Sequence, residues 1–128
     1  MQTMEAIRAR RSVRKYKAEP VPREQIERLL EAAMLAPSAV NSRPWEFVVT
    51  DKREILQRLT EAHPASRMLL TASWAIAVCG RPDLQPKHNF WQQDCAAAAE
   101  NILLAAAGVP DEAPAQKGFY DPSRVTFL

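Results

Sequence analysis

Three guanidinium groups and a hydroxyl fall within five residues near the N-terminus, in Arg10-Arg11-Ser12-Val13-Arg14. Arginine presents a planar fork of donors that matches phosphate oxygens two at a time. The run therefore suits a ligand with a phosphate at one end and hydrogen-bonding groups along its length. A solvated basic turn is the plain alternative, and spacing alone favours it. A second segment, Pro37-Ser38-Ala39-Val40-Asn41-Ser42-Arg43-Pro44-Trp45, follows the next helical pattern. Its Ser38 and Asn41 either meet a ligand or satisfy loop backbone groups.

Other chemistry is missing from the sequence. It contains no HExxH, no GxGxxG and no Ser/His/Asp arrangement. His63 beside Pro64, and His88 in a proline-bearing loop, read as surface residues. Asp94 and Glu100 stand six apart on one helical pattern and share no face. Cys79 and Cys95 have neither metal-ligand spacing nor a disulfide framework, and their apolar surroundings make them buried free thiols. No catalytic side chain and no metal site are assigned.

The elements that must position these residues follow from periodicity and punctuation. Thr3 caps a helix from about Met4 to Arg11, and residues 12 to 21 are extended loop. Pro22 suits a first helical position, and Ile26, Leu29, Leu30, Ala33 and Met34 form one helical stripe that must stop before Pro37. Trp45–Thr50 alternates as a strand, and a helix follows from about Lys52 to Ala62. A shorter helical piece covers Ala65 to Ala72, and Trp74–Cys79 reads as a strand buried on both faces. Gly80 to Asn89 is a loop, and Phe90 to Ala107 is the longest helix. Its Cys95-Ala-Ala-Ala-Ala99 stretch lets another helix approach closely. So lightly polar a helix needs cover nearly all round, and a chain this short implies that a second subunit supplies part of it.

At 128 residues the chain fits one domain, able to bury roughly two-thirds of its unfolded surface. Its apolar fraction of 47% and charged fraction of 25% are those of an ordinary globular protein. A net charge of +2 is too small to argue for nucleic acid or an anionic membrane, and the basic N-terminal patch lacks interleaved aromatics. No apolar run reaches the ~18 residues of a membrane span and no leader pattern opens the chain, so a cytoplasmic location is expected.

The two segments in this order, with the Pro22 helix between them and an apolar strand after, resemble the nitroreductase-like family of FMN-dependent oxidoreductases. The resemblance runs from Met4 to Ala107 and takes in the Trp74–Gly80 strand and the Trp91-Gln-Gln-Asp-Cys95 helix start. The tail through Asp121-Pro122-Ser123-Arg124-Val125 is similar to the family's C-terminus. This implies a single α+β domain over residues 1–128, a sheet flanked by helices, and a homodimer with tightly bound FMN at the subunit interface.

Carried over, Arg10, Arg11, Ser12 and Arg14 hold the phosphate, ribityl chain and pyrimidine edge of the flavin. Pro37, Ser38, Ala39 and Asn41 come from the other subunit and line the ring and ribityl side. Arg43 stands where the family often has glutamine. Phe119 occupies the usual place of a basic residue that completes the phosphate site, with Lys117 the nearest substitute. Residues 109–128 are expected as an arm on the partner subunit. After Ala107 the strand–helix–strand stretch of the family has no counterpart, which leaves the sheet two strands short. The implied reaction passes a hydride from NADH or NADPH through the flavin to a nitroaromatic, quinone or similar small-molecule acceptor, in ping-pong fashion. The missing stretch motivates the alternative, a non-catalytic or degenerate flavin-binding dimer of the same fold.

Overall fold

The computed structural model describes residues 2–108 and 120–128. The first helix, α1 (Thr3–Ala9), starts one residue before its expected position. Gln2, not Thr3, is its N-cap, and the Gln2 N–H donates to the Glu5 carboxylate at 3.1 Å. No residue of α1 is buried. Helix α2 (Arg23–Met34) buries Ile26, Leu30, Ala33 and Met34, the expected stripe, and Pro22 sits at its N-cap. It ends at Leu35, short of Pro37, as the steric demand of a proline on the preceding residue requires.

Strand β1 (Trp45–Thr50) buries Trp45, Phe47 and Val49 on one face. Helix α3 (Arg53–Ala62) follows, then a short 3₁₀ segment, Pro64–Leu70, then strand β2 (Ala75–Gly80). Helix α4 (Trp91–Gly108) packs on α2, β2 and β1. Close approach at the alanines is realised where Ala33 and Ala98 are both fully buried in one core, and Asn101 Nδ2 donates to the Ala32 carbonyl at 2.9 Å. Strand β3 (Val125–Phe127) completes a sheet of order β2-β1-β3. β1 and β2 are antiparallel with Trp45 opposite Gly80, and β1 and β3 are parallel with Phe47 opposite Val125. The α+β class is thus observed.

Two further expectations are corrected. β2 is not buried on both faces: it lies at a sheet edge, with Ile76 and Val78 turned to the core and Ala77 exposed. Its apolar run reflects one covered face and small residues on the other. Cys79 and Cys95 are half-buried free thiols, not buried ones, because β2 and the start of α4 border the open side of the core. Of residues 109–128, those described, 120–128, lie along β1 in this chain. The Leu128 N–H donates to the Val49 carbonyl at 2.8 Å, and Phe127 sits between Trp74 and the Arg23 guanidinium. An unpaired edge of β1 would leave a row of backbone donors and acceptors unmatched, and β3 satisfies it.

Candidate functional site

The basic segment leaves the end of α1. Arg10 is the C-cap residue, and its guanidinium reaches Glu100 of α4 at 3.9 Å. At the surface such a pair fixes direction more than it adds stability. Arg11 Nη1 donates to the Arg8 and Arg10 carbonyls at 2.6 and 2.8 Å, and Arg14 Nη1 to the Ser12 carbonyl at 3.2 Å. Among the described residues neither Arg11 nor Arg14 pairs with a carboxylate. Residues 11 to 20 are exposed throughout, Val13 and Tyr16 included. An arginine with five donors and only backbone carbonyls as partners keeps the capacity to grip an anion.

The second segment is a strained loop. Ser38 is extended, and a 3₁₀ turn over Ala39–Asn41 follows. Val40, Asn41 and Arg43 all have left-handed φ, at 47°, 54° and 49°. A β-branched residue there is a genuine outlier, and such strain persists only where its surroundings over-determine it. The surroundings are explicit. The Asn41 N–H donates to the Ser38 carbonyl at 3.0 Å, the Arg43 N–H to Ser38 Oγ at 2.9 Å, and Arg43 Nε to Asn41 Oδ1 at 3.1 Å. Ser42 Oγ donates to the Ala39 carbonyl at 2.7 Å. Ser38 and Asn41 therefore do satisfy their own loop, the plainer of the two sequence readings.

Two residues that sequence reasoning missed tie this loop to the core. The buried Asp94 carboxylate, in the first turn of α4, accepts from the Ala39 N–H at 3.2 and 3.3 Å. Buried Gln85 donates from Nε2 to Asp94 Oδ2 at 2.6 Å and to Ser42 Oγ at 2.9 Å, while its Oε1 accepts from the Phe90 N–H at 2.9 Å. The available signal was a lone carboxylate beside Cys95 and four alanines, where an acid is buried only with partners. Nearby, burial foremost, then the charge of Asp94 and the neighbouring Cys79, push the Cys95 thiol up from its ordinary value.

The two segments attach to α4 at Glu100 and Asp94, about 9 Å apart along its axis and on different sides of it. A cleft of about 350 Å³ is lined by Lys17, Glu19, Asp51, Arg53 and Trp74 among others, and a space of about 60 Å³ by Met34, Arg43, Trp45, Asp121 and Arg124. Of the two segments, only Arg43 and Trp45 line either of these spaces. Lys117 and Phe119 lie outside the described residues.

The structure is an α+β sheet with an arginine segment after α1 and a Pro-Ser-Ala loop before β1, and residues 7–75 match the nitroreductase family. The chain belongs to that family. A relative from Methanothermobacter thermautotrophicus, provisionally named NADH dehydrogenase/NAD(P)H nitroreductase, is 49% identical over 106 residues, 83% of this chain and 56% of its own length. An FMN-dependent nitroreductase from Clostridium difficile superposes with TM-score 0.75 at 34% identity, over 83% of this chain and 61% of that one. A nitroreductase with bound FMN from Bacteroides fragilis gives 0.70 at 28% identity, over 85% and 66%. This chain thus spans less than two-thirds of the length of these relatives. Among the described residues no helix is long and apolar enough to cross a membrane.

Proposed function

We propose that this chain forms a cytoplasmic homodimer that binds FMN at the subunit interface and passes a hydride from NADH or NADPH to a small acceptor of the nitroaromatic or quinone class. The observation that carries the reading is the pairing of exposed Arg11 and Arg14, which meet no carboxylate among the described residues, with a strained loop pinned to the core. Both features suit an anionic cofactor with a flat ring. Arg10, Arg11, Ser12 and Arg14 of one protomer bind the phosphate and the polar chain. Pro37, Ser38, Ala39 and Asn41 of the other pack along the ring side. Lys117 adds a cation at the phosphate end.

The cofactor, when bound, supplies the two-electron chemistry, so the side chains need only bind, orient and exclude water. No side-chain acid or base is required, and donor and acceptor occupy the same place in turn, which gives ping-pong kinetics. The relatives' names support the donor and the cofactor. A second protomer is part of this reading, and the separate anchors of the two segments on α4, at Glu100 and Asp94, are compatible with it. The exposed stripe Gln92, Ala96, Leu103, Ala106 on α4 falls at successive steps of four, seven and three, which keeps it on one helix face.

The test is spectroscopic. Purified protein reconstituted with FMN should be yellow and should bleach anaerobically on adding NADH or NADPH. Protein that stays colourless would overturn the reading. Yellow protein that does not bleach would instead favour a non-catalytic flavin-binding dimer. The observation behind that second reading is length: relatives extend well beyond what this chain matches, consistent with loss of a strand–helix–strand stretch after Ala107.

A further inference from the structure

We infer that Asp94 and Gln85 are positioning residues that hold the Ser38–Arg43 loop in its left-handed course and so set how that loop meets the flavin. The inference rests on the proposed function, and its structural half is measurable without it. Val40, Asn41 and Arg43 each occupy a backbone region that non-glycine residues leave when nothing restrains them. Hydrogen bonds inside the loop close its turn but do not fix it to the protein. The fixing contacts are the two between the Ala39 N–H and the Asp94 carboxylate, and the one from Gln85 Nε2 to Ser42 Oγ.

Gln85 also locks the carboxylate from its other side at 2.6 Å and is itself oriented by the Phe90 N–H at 2.9 Å. The chain of contacts thus joins three pieces: the loop, the turn after Pro82–Leu84, and the N-terminal end of α4. Asp94 is 7% exposed and Gln85 3%, so water competes little for these bonds. A charged acceptor makes the stronger bond to a backbone N–H. In the sequence-matched arrangement Ser38, Ala39 and Asn41 line the ring, and Ala39 cannot move without breaking this network.

The test uses Asp94→Asn, which keeps size and removes charge. In the flavin-free protein the Ala39 amide should exchange with solvent about tenfold faster than in the parent, with the core amides of β1 unchanged. FMN affinity should fall about tenfold or more, as expected for losing a charged partner. The visible circular dichroism of the residual bound flavin should also change. Gln85→Glu, which keeps the size of the side chain but removes the donor to Asp94 Oδ2 and Ser42 Oγ, should speed Ala39 exchange as well. Arg14→Ala serves as a control that weakens FMN while leaving Ala39 exchange untouched.

Unchanged Ala39 exchange in Asp94→Asn would overturn the inference. So would faster exchange with undiminished flavin affinity, or unchanged Ala39 exchange in Gln85→Glu. A parent protein that takes up no FMN defeats the functional reading instead, and Ala39 exchange still decides whether Asp94 secures the loop.

Discussion

Val40 places a β-branched side chain, 82% exposed, at φ 47°. Nothing apolar compensates it, so the cost is carried by the rest of the fold. Asparagine tolerates the left-handed region because its short polar side chain bonds locally. Val40→Asn should therefore stabilise the protein by about 1 kcal/mol in chemical denaturation. No gain would mean that the strain is relieved in solution. This residue also marks a limit of sequence reading. Val40 looks like any loop apolar residue, and no periodicity signals a positive φ at a non-glycine position. Asp94 was legible as a helix-start acid but was weighed only against Glu100, since its true partners, Ala39 and Gln85, are 55 and nine positions away in sequence. The arginines of 10–14 were legible as chemistry because type and density are local properties.

At the scale of elements, helices and strands were readable wherever burial repeats along the chain. The stripe of α2 and the alternation of β1 are both realised. The strand β2 misled because an apolar run does not distinguish two covered faces from one. One contact on β2 explains a residue that sequence left as mere loop: a Cβ on Gly80 would run into the Trp91 ring at Cε3. The indole lies directly on the glycine, so Gly80→Ala should destabilise by about 1–3 kcal/mol, the usual cost of overpacking. An unshifted melting temperature would show that Trp91 moves aside at no cost.

The turn before β3 has its own pH signature. Hydrogen bonds from the Ser123 hydroxyl and N–H hold the Asp121 carboxyl below its ordinary value, and Arg81 does the same for Asp83. A carboxyl depressed in the folded state contributes stability above its unfolded value, near 4, and loses it as pH falls through the folded one. The parent should therefore soften between about pH 4 and lower values, and Asp121→Asn should show a smaller drop in melting temperature there. An identical acid profile for the two proteins would remove Asp121 from the explanation.

For the whole molecule, the decisive feature is surface that one chain does not cover. Helix α1 is seven residues with no buried side chain, too short to persist by itself in water. Met4 and Ile7 on α1 are 54% and 46% exposed, and α1 packs against α4, whose Leu103 is 46% exposed. The exposed stripe of α4, with alanines at 96 and 106, offers a close-packing surface to a second copy. Leu103→Glu would place an unpaired carboxylate in that seam and should raise the dimer dissociation constant about a hundredfold or more. In sedimentation, the parent should run at twice the 14.4 kDa chain mass and the variant at the chain mass. A parent that sediments as a single chain would refute the dimer outright. The shared site makes a sharper demand. Arg14→Ala and Asn41→Ala should each lose flavin alone, by about 1.5–3 kcal/mol for the charge-assisted contact of Arg14. If Arg14 of one protomer and Asn41 of its partner meet at one flavin, a mixed dimer of the two variants holds one site with both defects and one with neither. Mixing should then restore up to half a flavin equivalent per site, whereas a site built within one chain would restore none.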